Sequence, residues 1–321
     1  MRAVRKNMRR RATGVARPQR KTMSAPRFHR AAYVQLALNI VLFGLSWPMV
    51  KIGLQAGSPL WFAAARATLS ATVAFILLAI LGRVKWPPRT DWPIILSVGI
   101  LQLACFFAFS NLGMQSLPAG RSSVLAYTAS LWVVPLSLLI GERVGRRAFL
   151  GVLLGVAGIV VLADPPRFDW HDKGVIWGHI WLLLSGLTWA IAIVHIRHHR
   201  WRTAPLDALP WQMAVAAVLL WIVAPVLEPN GHLDVHAKEL WIGLIYIGAF
   251  AGPIATWAAV SVNRALPPVV GSMAMLGVPL LSIASSLVLV NEPITLPLAI
   301  GTALVIAGIA VVILEKSKPA R

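Results

Sequence analysis

The sequence predicts an all-α membrane protein with ten transmembrane helices, arranged as two inverted five-helix repeats around a central cavity. Two observations lead to this fold class. Of the 321 residues, 58% are hydrophobic and only 13% are charged, whereas a soluble domain carries about 25% charged residues. The chain also divides into ten apolar segments of about 18–24 residues, each long enough to span roughly 30 Å of hydrocarbon as a helix.

Short turns rich in Pro, Gly, Asn and Asp separate the segments and leave no room for a soluble domain between them. Backbone groups in hydrocarbon must be satisfied within each segment, so we expect helices rather than strands. The predicted helices are 33–52, 59–81, 92–115, 118–140, 146–163, 174–195, 206–227, 240–262, 268–290 and 296–314.

The basic residues indicate how the chain is oriented. The net charge is +19, which in a soluble protein would suggest nucleic-acid binding. With the N-terminus in the cytoplasm, 24 of the 30 Lys and Arg residues fall on the cytoplasmic side, as the positive-inside rule requires. We therefore expect an inner or plasma membrane protein that contacts lipid and binds no nucleic acid. Residues 1–32 and 315–321 would be cytoplasmic tails.

Two stretches of the chain recur in the same order. Gly44-Leu45-Ser46-Trp47 returns 142 positions later as Gly186-Leu187-Thr188-Trp189, and residues 118–162 resemble residues 268–312 at a spacing of 150. Such a repeat in a membrane protein indicates where substrate binds.

We interpret residues 33–163 and 174–314 as homologous five-helix units. Because five is an odd number, the second unit enters the membrane from the opposite side. The two units are then related by a twofold axis in the membrane plane, which is the plan of many secondary transporters.

The chain has 14 tryptophans, and nine of them lie near predicted helix ends, where they fit an interfacial belt. An indole N–H in hydrocarbon needs a partner, which a helix interface or a wet cavity supplies. Packing is the usual role of a deep tryptophan, but Trp47 and Trp189 are repeat-equivalent and the twofold axis would place both near a common site. We predict that these two bind substrate, and we add Trp132 and Trp257 as further deep candidates.

Arg66 lies about seven residues from the outer end of the second segment, roughly 10 Å deep at helical rise. A charge at that depth should face the bundle interior or a wet cavity. Two roles remain open, namely bonding free carbonyls of neighbouring helices or contacting an anionic group of a substrate. Lys51 and Arg121 lie toward the same outer side. They are candidates for holding a carboxylate, with snorkelling to lipid headgroups as the alternative.

The fourth segment and its repeat partner supply the remaining substrate-binding candidates. Tyr127, Ser130 and Trp132 precede Pro135, and the repeat partner offers Met275. A proline at such a place either leaves carbonyls open to polar substrate groups or kinks the helix for packing.

Acidic residues lie only at segment ends or in loops, which gives little support for strict proton coupling. The run His195-x-x-His198-His199 has no acid or cysteine nearby to complete a metal site. The chain also lacks a His-Glu-x-x-His motif, a Walker motif and a serine elbow. We therefore expect no metal, no cofactor and no enzymatic activity.

Four motifs together carry a resemblance to a known family. They are Trp47-Pro48-x-x-Lys51, Pro59-x-x-Phe62-x-x-x-Arg66, Leu117–Ser123 running into Gly141-Glu142-Arg143, and Asn291-Glu292-Pro293 followed by Gly301. Across residues 33–314 the chain resembles the drug/metabolite transporter (DMT) superfamily, in its ten-helix EamA-type branch. The resemblance implies export of small metabolites such as amino acids from a central cavity. The tryptophan-rich interior is similar to that of YddG-type exporters of aromatic amino acids.

The sequence thus predicts a monomeric secondary transporter that exports small amphipathic metabolites, above all amino acids including aromatic ones, by alternating access. Within the same class, the alternative is an exporter of drugs or other organic cations, which would need an acid that the spans lack. From a different class, a membrane-embedded lipid-modifying enzyme is the alternative, and a non-transporting sensor is the third.

Overall fold

A computed structural model describes residues 27–141, 145–163, 172–199, 202–255 and 275–316, with side chains described from residue 34 onward except at 197, 315 and 316. The described residues form ten helices and one isolated antiparallel bridge between Gly57 and Leu233. We call the end of the bundle at Lys51 the outer end and the end at Arg83 the inner end, after the predicted orientation.

The helices follow the predicted segments closely, apart from an earlier start of the first one. They are α1 Arg27–Gly53, α2 Pro59–Ile80, α3 Arg89–Ser116, α4 Ala119–Leu139, α5 Arg146–Ala163, α6 Lys173–His198, α7 Pro205–Leu227, α8 238–255, α9 Gly277–Leu289 and α10 Leu296–Lys316. All but α8 and α9 are long and apolar enough to cross a membrane, and α9 is a shorter apolar helix. The predicted ends at 262 and 268 lie outside the described residues.

Local sequence signals start several of these helices. Pro59 and Pro205 lie at the first turns of α2 and α7, where a missing N–H costs nothing because it would have no partner in the helix. Asp172 caps α6, since its carboxylate accepts the N–H groups of Gly174 and Val175.

The two units interlock. Helix α1 packs against α8 and α9, and its counterpart α6 packs against α3 and α4, while α2 packs on α7 and α5 on α10. The repeated glycine motifs lie at corresponding contacts. A Cβ at Gly44 would lie 2.8 Å from the Leu281 side chain of α9, and one at Gly186 would lie 3.0 Å from the Ala126 carbonyl of α4. The predicted all-α fold of two inverted five-helix repeats is confirmed.

Helices α3 and α8 share an irregularity that the sequence analysis did not predict. The backbone is π-helical over Val98–Cys105 in α3 and over Ile245–Ala255 in α8. Gly99 and Gly248 lie in these segments, each seven residues after a tryptophan, so the two segments occupy equivalent places in the repeats. π-helical turns are rare in proteins, and those that occur often lie at functional sites.

Glycines let α5 and α10 approach to backbone contact. A Cβ at Gly151 would lie 2.6 Å from the carbonyl oxygen of Gly308, and one at Gly158 would lie 2.8 Å from that of Gly301. Such small-residue contacts are the usual basis of close helix packing in lipid. These glycines therefore have a packing role at the contact between α5 and α10.

The turn between α9 and α10 supplies a carboxylate to the start of α4. One Glu292 oxygen accepts the N–H of Ala119 at 2.7 Å, and the other accepts the N–H of Gly120 at 3.0 Å. The first N–H groups of a helix have no partner within it, and the partial positive charge there attracts an anion. Glu292 therefore fastens the second repeat to the first.

Two other acids make the same kind of contact between repeats. Glu228, which follows α7, accepts the N–H of Leu60 in the first turn of α2 at 3.0 Å. Asp91 of α3 accepts the N–H groups of Arg202 and Thr203, just before α7, at 3.0 and 2.7 Å. Acidic side chains at these ends are thus engaged with backbone N–H groups of the opposite repeat.

The glycine contact predicts a sharp difference between neighbouring positions on α10. We expect Gly308→Val to lower the melting temperature of the purified protein, because overpacking costs about 1–3 kcal/mol. Ala307→Val is the matched control, since Ala307 is exposed. Tryptophan fluorescence during heating in detergent measures both. Equal melting temperatures for the two variants would contradict the contact.

The cap by Glu292 predicts a second stability difference. We expect Glu292→Ala to lower the melting temperature, since it leaves two N–H groups without an acceptor, at roughly 1–3 kcal/mol for an unsatisfied group. Glu239→Ala is the control, because Glu239 lies at the same end in the first turn of its own helix α8. The cap would be refuted if both variants melted alike.

Candidate functional site

The two repeat-equivalent tryptophans meet the same phenylalanine. The Phe106 ring of α3 lies with its centroid 6.3 Å from Trp47 of α1, at an interplanar angle of 81°, and 4.7 Å from Trp189 of α6, at 62°. Both contacts are edge-to-face, which is a favoured geometry for aromatic pairs. The structure therefore brings Trp47 and Trp189 into one cluster, while their contact with substrate stays a prediction.

This aromatic trio lies across the middle of the bundle. Trp47 is nearer the outer end of α1, Trp189 is nearer the inner end of α6, and Phe106 is near the middle of α3. The inversion of the repeats explains this placement, because equivalent residues must lie on opposite sides of the midplane. Substrate sites of inverted-repeat transporters lie near that midplane.

A buried cation adjoins the trio. Phe107 follows Phe106 on α3, with ring centroids 6.3 Å apart, and the guanidinium carbon of Arg66 lies 3.8 Å from the Phe107 centroid. Arg66 is only 9% exposed. Cation–π contact of this kind holds the guanidinium in a fixed plane. The aromatic cluster is therefore continuous with a positive charge.

Arg66 lacks the carbonyl partners that one predicted role required. Its Nε is buried without a hydrogen-bond partner, and the ion pair observed among the described residues, Arg83 with Asp207, does not involve it. A buried charge without a counter-ion costs several kcal/mol. Of the two roles that the sequence left open, bonding free carbonyls of neighbouring helices is not seen in the described part of the chain.

Lys51 has a structural role that the sequence did not predict. Its ammonium donates to the carbonyl of Met114 and, at 3.0 Å, to that of Leu117, at the outer end of α3. Carbonyls at a helix C-terminus have no partner within the helix, and a cation there is favourable. Lys51 thus ties α1 to α3, a contact that neither of its two predicted roles includes, and its binding of a substrate carboxylate stays a prediction.

Arg121 lies in the first part of α4, half-buried. This part of α4 packs against α6. The structure therefore places Arg121 at the contact between α4 and α6, apart from the cation–π pair of Arg66 and Phe107.

The candidates on α4 lie around a break in that helix. Regular α-helix ends at Tyr127 and resumes at Ala129, and the Thr128 hydroxyl donates to the Leu125 carbonyl at 2.6 Å. Tyr127 packs against the core cluster that contains Trp47. The break is also where Gly186 of the repeated motif packs, with its Cβ position 3.2 Å from the Thr128 hydroxyl.

The other candidates are less well connected to the trio. Ser130 and Trp132 follow the break and are half-buried. Met275 is half-buried just before α9. Trp257 lies outside the described residues.

A groove of about 830 Å³ lies elsewhere, at the outer end between α1 and α8. Its lining includes Met49 and the strongly exposed Trp241, Ile245 and Phe250. Because these apolar side chains lie on the outside of the bundle, we assign the groove to the lipid-facing surface. None of the predicted site residues lines it.

Sequence reasoning missed Phe106 and Phe107. A phenylalanine in an apolar segment carries no polar group, so nothing in its type separates a site residue from a core residue. The Phe-Phe pair at the middle of the third segment was the one available signal. Among the described residues, no group of three His, Cys, Asp or Glu could hold a metal ion.

The ten helices of the described residues, in two inverted repeats, follow a plan that is found in membrane transporters. The sequence profile of the EamA-like transporter family matches residues 30–163 and again residues 176–314. The chain belongs to this family.

Individual relatives agree with that assignment. The uncharacterized transporter YvbV of Bacillus subtilis (strain 168) is 27% identical over 281 residues, covering 86% of this chain and 90% of its own. The Escherichia coli (strain K12) protein named "Probable amino-acid metabolite efflux pump" is 24% identical over 293 residues, covering 85% and 91%. A crystal structure with 21% identity shares the fold at a TM-score of 0.60, covering 88% of this chain and 95% of its own.

Lys51 and Arg66, two cations of the first repeat, should respond in opposite ways to the same substitution. We expect Lys51→Met to lower the melting temperature, because two carbonyls lose their donor, whereas Arg66→Met leaves it unchanged or raises it, because a buried unpaired charge is removed. Heating the purified variants in detergent measures this. A large loss of stability in Arg66→Met would show that Arg66 supports the fold instead.

Proposed function

We propose that this protein is a secondary transporter that exports amino acids, including aromatic ones, from the cytoplasm by alternating access. One observation carries the proposal: the buried Arg66, which has no ion-pair partner among the described residues, adjoins the aromatic trio of Trp47, Phe106 and Trp189. An amino acid has a carboxylate and, in the aromatic and large aliphatic cases, an apolar body. These two parts match the two parts of the site.

The guanidinium would bind the substrate carboxylate. Arginine presents a planar fork of donors that pairs with a carboxylate through two hydrogen bonds. Phe107 covers one face of Arg66, so the plane of the fork is fixed before substrate arrives. The sign of this charge favours substrates with an anionic group over the organic cations that were the alternative.

The aromatic trio would bind the apolar body of the substrate. Ring edges and faces of Trp47, Phe106 and Trp189 offer apolar walls, and such walls with a few polar groups are typical of small-molecule sites. The continuous contact from Phe106 to Phe107 to Arg66 would place the apolar body and the carboxylate of one small molecule side by side.

Two further observations support this function and its direction. The relative from Escherichia coli is named as a probable amino-acid metabolite efflux pump, and the positive-inside rule favours both termini in the cytoplasm. Asp91, Glu228 and Glu292, three acids at helix ends, accept backbone N–H groups. A passive or gradient-driven exporter therefore fits better than strict proton coupling.

Efflux from proteoliposomes tests the proposal. We expect vesicles with wild-type protein to release labelled phenylalanine and leucine. Vesicles with Arg66→Met should release both at least about tenfold more slowly, since a hydrogen bond to a charged group contributes about 1.5–3 kcal/mol. Arg83→Met is the matched control, because Arg83 pairs with Asp207 at the inner end.

Phenethylamine, which is phenylalanine without its carboxylate, separates the two parts of the site. Its flux above that of protein-free vesicles should be low in wild type and should not fall in Arg66→Met. The proposal fails if no amino acid crosses with wild-type protein, or if Arg66→Met and Arg83→Met transport phenylalanine equally.

A further inference from the structure

We infer that Phe106 sets the size of the apolar group that the central site accepts. This inference rests on the proposed function, because it concerns the same site and names the feature of the substrate that one residue selects. Three observations on Phe106 carry it.

Phe106 lies where the two hydrophobic clusters of the bundle meet. One cluster is formed by buried residues of α2, α3 and α7, and the other by buried residues of α1, α4 and most remaining helices. Phe106 is partly buried and packs against both. The Phe106 ring is thus in contact with both clusters. We therefore expect the volume of this ring to affect how much space is left between them.

The ring also contacts both tryptophans. Trp47 and Trp189 each contact Phe106, at centroid distances of 6.3 and 4.7 Å, from opposite sides of the midplane. If the ring were removed, the space between the two indoles would become one apolar cavity. Cavities with apolar walls stay dry and bind apolar molecules that fit them.

The second repeat has an alanine at the place that matches Phe106. Phe106 directly follows the π-helical segment Val98–Cys105, and the residue at the matching place in α8 is Ala255, the last of its π-helical segment. Ala255 is fully buried, and its carbonyl accepts the Asn39 amide at 2.7 Å. Of these two matching positions only Phe106 carries a ring, so a single substitution removes it.

The experiment compares ligands of increasing size on three proteins. Wild type, Phe106→Ala and Phe109→Ala are heated with phenylalanine, tryptophan or 2-naphthylalanine, and the ligand concentration that raises the melting temperature gives an apparent affinity. Phe109 is the matched control, because it lies on the same helix and also loses a tryptophan contact, with Trp181 at 5.3 Å.

We expect Phe106→Ala to raise the affinity for 2-naphthylalanine relative to phenylalanine by about tenfold, the lower end of what one additional methylene contributes in a hydrophobic pocket. Phe109→Ala should leave that ratio at the wild-type value. Phe106→Leu, which keeps more of the packing, should change the ratio in the same direction by a smaller factor.

2-Naphthol and phenol, which have no amino-acid group, separate this inference from the proposed function. If no amino acid stabilises any of the proteins but Phe106→Ala gains affinity for 2-naphthol over phenol, the sizing role stands and the proposed function fails. If amino acids stabilise wild type but both Phe106 variants keep its size ratio, the proposed function stands and the sizing role is overturned. A ratio that changes equally in Phe109→Ala also overturns it.

Discussion

The fold depends on satisfying the backbone groups at helix ends in surroundings with little water. Glu228 accepts an N–H group in the first turn of α2, and Glu292 accepts N–H groups in the first turn of α4. Asp91 accepts N–H groups of the residues that lead into α7. In every case the acid belongs to the opposite repeat. Each repeat therefore provides the acceptors that the other repeat needs, and this exchange, together with the glycine contacts of α5 and α10, holds the inverted halves together.

The same constraint shapes the electrostatics of the interior. Since these three acids accept backbone N–H groups at helix ends, they do not pair with the positive charge of Arg66 in the centre of the bundle. Arg66 is left stacked on Phe107, with its Nε unpaired. A positive charge remains beside the aromatic rings because the carboxylates of these acids accept backbone N–H groups at the helix ends. The proposed specificity for a carboxylate is a consequence of how the helix ends are satisfied.

Much of this architecture could be predicted from the sequence, because helix positions depend on local hydrophobicity and the inversion depends on an odd number of spans. The glycine motifs led to Trp47 and Trp189 because the repeat marks equivalent positions. The roles of Lys51 and Glu292 could not be predicted in this way. A lysine near a helix end can reach headgroups or a neighbouring helix, and only the tertiary arrangement decides which carbonyls lie within reach. Phe106 was missed because its importance comes from its neighbours.

The interlocking of the two units has a consequence for how the chain is assembled in the membrane. Helices α1 to α5 find most of their partners in α6 to α10, so the first half has few places to pack while the second half is still being synthesised. During that interval the glycine face of α5 and the start of α4 face lipid without their acceptors or partners. Packing between the repeats can therefore start when α6 joins α3 and α4, and it is complete only when α10 joins α5.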